Sequence, residues 1–492
     1  LLQLAVDAAG AAEQVTVENG KISVTLSTQA HGAVVSLRDV VGDRELAAKS
    51  MSPRLFLLEL SQRNDPEGKP IYVASDEAKE VELLAEGDGP NKGARVAFRD
   101  LAGRGIDAAC TVKAAEGEAW LRWRIEVQVP EGLVLEQVHF PIVTLRTPTE
   151  TEPDDAIVIG ATKGGVYRRP AAWKPGRSIQ MTQPGSLTAQ FGCYYDPRGG
   201  FMTAAFDSRG YRKAIRATRT NDGVALAWLH PCFQTGKYSL HFDVVQTVFA
   251  SDDPGRPADW RDAADLYKSW AVQQPWCARK YADRDDLPGW LKEGPAMVRF
   301  SRSWLAEPER IERWLTEYWQ KDFPAGTPLI IAYWGWEKVD TWITPDYFPV
   351  FPSDEVFQKL TRLGKSLGGH AFLWPSGYHY TLTHRKQPDG SFFWDDRERF
   401  DATARQHAVC NRDGQVRLRT PSWLQGGQCV TMCPGDPWTI DWLNQIAVEI
   451  VRRGADMVQV DQVVGGNFPA CYSTGHGHEP GPGLWCTDAF RK

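Results

Sequence analysis

Asp461 stands at the end of a short apolar run, Met457-Val458-Gln459-Val460, just past Gly454, the glycine that closes an amphipathic helix. In β/α barrels the chemistry is assembled at the carboxyl ends of parallel strands, so a carboxylate at a strand end reads there as functional. Three earlier apolar runs end in comparable groups. The first offers Arg302 and Trp304, the second Trp334, Trp336, Glu337 and Asp340, and the third Trp374, Tyr378 and His379, while the fourth adds Gln462 beside Asp461. Aromatic rings around isolated carboxylates suit a sugar, whose apolar faces stack on flat surfaces. They suit a phosphate poorly, and the sequence has no glycine-rich loop of the Walker type.

Breaking a glycosidic bond takes two carboxyl groups, one ionised and one protonated, on either side of the bond. Asp461 is the candidate for the ionised partner, and it is the nucleophile if configuration is retained. Arg299 or Arg302 would then hold its charge. Glu337 and Asp340 are the nearby candidates for the acid, but each reads more readily as a substrate contact or a loop carboxylate. Just downstream, His476-Gly477-His478 sets two imidazoles in a glycine-rich loop. They are assigned to sugar hydroxyls. A shared metal ion, completed by Cys471, Cys486 or Glu479, is the alternative; none of these spacings matches a known zinc cage, so neither metal nor cofactor is expected.

These groups need elements to position them. Residues 1–252 read as β throughout: Lys21 to Leu26, Ala119 to Val127 and Tyr238 to Val244 alternate apolar with polar side chains, as half-buried strands do. Turn punctuation between such runs predicts an antiparallel β-sandwich. Residues 253–294 form a helical linker, with Trp260, Ala263, Ala264, Tyr267, Trp270 and Ala271 along one helix face. From Pro295 the chain alternates strand with helix. Strands are predicted at 296–300, 328–334, 370–375 and 457–460, and helices over Ile311 to Trp319, after Ser353 and after Asp436-Pro437. A long excursion, 376–433, interrupts the alternation. Four βα units make the first half of a TIM-type barrel over 295–492, so the chain is expected to be a piece of a longer protein.

Composition narrows the partners. Among 492 residues the net charge is −6, without the basic face that nucleic acid requires. The 20 Trp, beside 14 Tyr and 20 Phe, exceed the ordinary demand of core packing and favour a carbohydrate partner. No apolar run is long enough to span a membrane. Nine Cys leave room for one or two disulfides without assigning them.

The β-sandwich, the helix Trp260-Arg261-Asp262-Ala263-Ala264-Asp265-Leu266-Tyr267-Lys268-Ser269-Trp270-Ala271, the strand end Val460-Asp461-Gln462 and the Cys471 to His478 loop together resemble an uncharacterised glycosidase-like bacterial family. More distantly the chain is similar to retaining α-glycoside hydrolases, which include endo-α-N-acetylgalactosaminidases and α-galactosidases. That resemblance implies an Asp nucleophile at the end of the fourth barrel strand, the position of Asp461, and an acid/base from a later strand, past Lys492. The expected function is therefore hydrolysis of α-linked sugars in an oligosaccharide or glycoconjugate, by a secreted or periplasmic enzyme. A carbohydrate-binding pseudoenzyme and a metal-dependent hydrolase built on His476 and His478 are the alternatives. Oligomeric state is not readable from the sequence.

Overall fold

The computed structural model describes residues 12–49, 53–65, 68–87, 92–115, 117–161, 164–461 and 469–491. Contacts divide the chain into two compact units, residues 1–278 with 482–487, and 279–481 with 488–492.

The first unit is built from antiparallel sheets. Its largest sheet has ten strands, with Gly199–Phe206, Asp243–Phe249, Leu121–Gln128 and Ile106–Ala114 as central neighbours. A six-stranded sheet is centred on Val224–Gln234 and Leu133–Leu145, and a four-stranded sheet begins at Gln14–Glu18. Alternation is strict where one face is covered. In Leu121–Gln128 the residues Leu121, Trp123, Ile125 and Val127 are buried and their neighbours point outward. Side chains of the two larger sheets share one core, in which Phe56 meets Phe98 edge-on at 4.9 Å and Trp123 meets Phe140 at 6.1 Å. The expected sandwich-like region is present. The helix Trp260–Ala271 packs on this unit, its Trp270 stacked on Phe206 at 4.6 Å.

The second unit holds a parallel sheet of four strands in chain order: β1 (Ala296–Phe300), β2 (Leu329–Tyr333), β3 (Gly369–Leu373) and β4 (Met457–Val458). All five residues of β2 are buried, as befits a parallel strand covered on both faces. Leu329, Ile331 and Tyr333 face the cluster built with α1 (Asp354–Ser366) and α2 (Pro437–Arg452), and Tyr333 meets Phe357 of α1 edge-on at 5.3 Å. Ile330 and Ala332 face the opposite side with Phe372, Trp290, Trp374 and Met457. Ser353 caps α1 through Val356 N at 3.3 Å, and Asp436 caps α2 through Trp438 N at 2.9 Å.

Two expectations change. The helix with Ile311, Leu315 and Trp319 on its buried face widens into a π-helical turn at Trp314–Trp319, which rotates Tyr318 out to 50% exposure. The excursion 376–433 is a small folded body. His379–Thr381, Cys429–Thr431 and Leu418–Arg419 form an antiparallel sheet over a core of Tyr380, Phe400, Val430 and Met432. The four parallel strands are established, but among the described residues they form an open sheet and not a closed TIM barrel. No helix among the described residues is long and apolar enough to cross a membrane.

Candidate active site at the carboxyl ends of the parallel strands

Strand alternation selects one face of the sheet. Ile330 and Ala332 lead to Trp334, Phe372 leads to Trp374, and Met457 leads through Gln459 to Asp461. On β1 the residues facing that side are Met297 and Arg299, because Ala296, Val298 and Phe300 pack against the helices. Each strand therefore delivers one group to the same face at its carboxyl end. The contacts agree: Trp334 meets Trp374 edge-on at 4.8 Å and Trp342 at 5.5 Å, and the Arg299 guanidinium lies 5.2 Å from the Trp334 ring centre. Both Trp334 and Trp374 are half-buried, so ring surface remains for a ligand.

Asp461 is held by its backbone. Its N–H donates to Pro375 O at 3.0 Å, continuing the β3–β4 ladder after Gln459 N donates to Leu373 O at 3.1 Å. Its carbonyl oxygen lies against Gly377, where a Cβ would fall 1.9 Å away; Gly377 also has φ +67°. Only glycine satisfies both conditions. The turn beneath is fixed by a buried hydroxyl network, in which Thr344 Oγ1 lies 2.6 Å from Ser376 Oγ and 2.7 Å from Tyr347 OH, while Ser376 N donates to Tyr347 OH at 2.9 Å. Thr344, Tyr347, Ser376 and Gly377 escaped sequence reasoning. A glycine just past an apolar run was the one signal the sequence offered.

Other expected site residues fall elsewhere. Trp336 is 1% exposed, stacked on Tyr347 at 5.3 Å, and its indole N–H donates to Trp374 O at 3.4 Å. It is a core ring that supports the site and offers no platform. Tyr378 is buried against Phe490 at 5.2 Å, and His379 is buried with its Nε2 beside the Arg419 guanidinium. Neither presents an open surface to a sugar. Arg302 does not reach toward Asp461; its guanidinium donates to the carbonyls of Gly335, Glu337, Lys338 and Val339 and so builds the loop after β2. Gln462 lies outside the described residues.

The two candidate acids divide the required properties between them. Burial raises the Glu337 carboxyl to about 7, against the weaker opposing pull of hydrogen bonding and Arg302, so it keeps its proton through the mildly acidic range and is about half-protonated near neutrality. At 3% exposure it is closed off, with Oε1 accepting from Trp342 N at 3.4 Å. Asp340 is more accessible but ionised. The His384 ring, its Nε2 3.7 Å away, with the Arg385 guanidinium beside it, lowers its pKa to about 2. One is protonated but enclosed and the other reachable but charged, so neither meets both needs of a proton donor.

His476 and His478 lie in a separate cluster with Cys433 and Cys471. His476 places Nδ1 3.4 Å from Cys471 Sγ and Nε2 2.8 Å from Gln406 O; His478 places Nε2 3.2 Å from Cys433 Sγ and Nδ1 2.8 Å from Glu479 O. All four ring nitrogens are engaged, which corrects their assignment to sugar hydroxyls. Together with the two sulfurs the two rings form a set of four groups able to ligate a metal. Cys433, remote in sequence, completes the group, whereas Cys486 and Glu479 are not part of it. Among the described residues no disulfide forms.

The sequence profile of DUF6259, a domain of unknown function, matches residues 242–492. The chain belongs to that family. It is 24% identical over 381 residues to a Bacteroides thetaiotaomicron protein named "Putative glycoside hydrolase", a match covering 75% of this chain and 50% of the relative. The chain thus spans about half the length of the curated relative it matches. Among solved structures, the α-N-acetylgalactosaminidase NagBb of Bifidobacterium bifidum in complex with GalNAc aligns over 97% of this chain and 74% of its own, with TM-score 0.71 and 12% identity, which establishes a shared fold. An α-galactosidase of Lactobacillus brevis covers 91% of this chain and 63% of its own at TM-score 0.45 and 11% identity, too weak a likeness to carry an argument.

Proposed function

We propose that the chain is part of a glycoside hydrolase that cleaves α-linked sugars with retention of configuration, with Asp461 as its nucleophile. The observation that carries this is the convergence of Arg299, Trp334, Trp374 and Asp461 on one face at the carboxyl ends of four parallel strands. The indoles supply stacking surface, and a carboxylate held by its own backbone needs little reorganisation to attack an anomeric carbon. In a retaining reaction Asp461 forms a glycosyl ester while an acid protonates the leaving oxygen, and water then releases the sugar. Neither Glu337 nor Asp340 fits the acid as placed, and the resemblance to retaining α-glycoside hydrolases assigns that role to a residue of a later strand. A TIM-type barrel closed by further strands belongs to the same reading, because parallel order and right-handed βα crossovers curl a sheet in that direction. So does export to the periplasm or the medium, where oligosaccharides and glycoconjugates are met. The relatives' names support the reaction class, and the GalNAc complex of NagBb makes α-N-acetylgalactosaminides the first substrates to try.

The test, on the longer enzyme of which this chain is proposed to be a part, is a panel of aryl α- and β-glycosides, including α-N-acetylgalactosaminide and α-galactoside, with NMR of the first sugar anomer released. Cleavage of an α-glycoside that yields the α anomer first is expected. Release of the β anomer first overturns retention, and binding without release favours the pseudoenzyme.

A further inference from the structure

Cys433, Cys471, His476 and His478 each offer one ligand atom, and these four atoms lie within 4.8 Å of one another. The two sulfur–nitrogen separations of 3.2 and 3.4 Å are close to those between ligands of one tetrahedral ion, since Zn–N of about 2.0–2.1 Å and Zn–S of about 2.3 Å place ligand atoms about 3.3–3.8 Å apart. The rings are oriented for the purpose. His476 Nε2 donates to the Gln406 carbonyl and His478 Nδ1 to the Glu479 carbonyl, so the nitrogens left with lone pairs are those that face sulfur. Cys433 and Cys471 are fully buried and His476 is 3% exposed. A dication with two thiolates and two neutral imidazoles has no net charge, which makes such a buried set affordable.

We propose that these four residues form a Cys2His2 site for a divalent ion of borderline softness, zinc in the first place. On binding, two metal–sulfur and two metal–nitrogen bonds form, and the two thiol protons pass to solvent. The protein fills all four tetrahedral positions, so the ion has no place for a reacting water and its role is structural. The ligands come from two segments, the end of the excursion at Cys433 and the loop through which the chain returns after Asp461. Backbone bonds shape both segments: Cys433 N donates to His407 O at 2.9 Å, Tyr472 N to Cys410 O at 3.0 Å and Gly481 N to Cys471 O at 2.7 Å. The ion fastens the loop 471–478 to the end of the excursion. This site stands independently of the glycosidase reading.

The purified protein, prepared without chelator, should carry about one zinc per chain by elemental analysis. Cobalt exchanged into the wild-type protein should give the intense visible bands of a tetrahedral ion and a thiolate charge-transfer band in the near ultraviolet. Cys471→Ser should lose the metal and Cys277→Ser, at an exposed cysteine, should keep it. Stripping the ion should lower Tm by about 5 °C or more. Protein that carries no metal and takes up no cobalt overturns the proposal, as does a Cys433–Cys471 disulfide detected by alkylation and mass, or full metal content in Cys471→Ser. The cobalt spectrum needs no variant, so a misfolded substitution cannot decide the matter.

Discussion

Asp207 and Glu337 are both carboxyl groups removed from water, and the two units treat them in opposite ways. In the sandwich unit Asp207 accepts from the backbone N–H groups of Arg209, Gly210 and Tyr211 and from Lys213 Nζ at 2.6 Å, with Lys213 and Asp207 side chains 0% and 2% exposed. Burial lowers Lys213 to about 8, with the Asp207 charge opposing the shift. In the second unit Glu337 has one long hydrogen bond to Oε1, and burial raises its pKa to about 7. The sandwich surrounds Asp207 with donors. The parallel sheet tolerates an incompletely matched acid beside a face that collects Arg299, two indoles and Asp461, and that contrast separates a scaffold from a site.

The contrast can be broken at either end. The largest stability effect belongs to Lys213→Met, which strands the Asp207 charge in the core and should cost about 3–5 kcal/mol in denaturant unfolding. A loss below about 1 kcal/mol would mean that the backbone donors alone satisfy Asp207.

Glu337→Gln should act in the other direction. A carboxyl whose folded pKa stands at about 7, above the ordinary 4.5, keeps its proton while the unfolded chain loses it, so wild-type stability falls as pH rises from about 4.5 to about 7 and then levels off. The amide removes that penalty. The variant should match wild type near pH 4.5 and exceed it near pH 8 by up to about 3 kcal/mol. A constant difference across that range would show that ionisation of Glu337 is not linked to folding.

Gly377→Ala should give the smallest change in stability, about 1–3 kcal/mol, because it combines a left-handed φ with a Cβ driven into the Asp461 carbonyl. Its loss of turnover should exceed what that destabilisation explains, since it moves Asp461. Wild-type turnover in a folded Gly377→Ala protein would detach the turn from the chemistry.

Much of this was legible in the sequence where one period dominated. The alternation of Leu121–Gln128, the caps at Ser353 and Asp436 and the four strand positions follow from local chemistry, as does the placement of Trp334, Trp374 and Asp461 at strand ends. What stayed hidden depends on distant contacts. Trp336 and Trp334 differ in sequence by one turn residue, yet only packing against Tyr347 decides that the first is core. Arg302 reads as a cation that holds the charge of Asp461 until four carbonyls claim it. His476 and His478 matched no metal spacing because Cys433 comes from another segment, and the excursion that supplies it shows no long period of its own.

If Asp461 performs the chemistry and does not hold the fold, Asp461→Asn separates the two roles. The near-isosteric amide should lower turnover of the best α-glycoside by about 10³-fold, equivalent to about 4 kcal/mol of barrier, while sugar affinity and Tm stay close to wild type. Wild-type rates in the variant, or a protein that unfolds, would contradict the account.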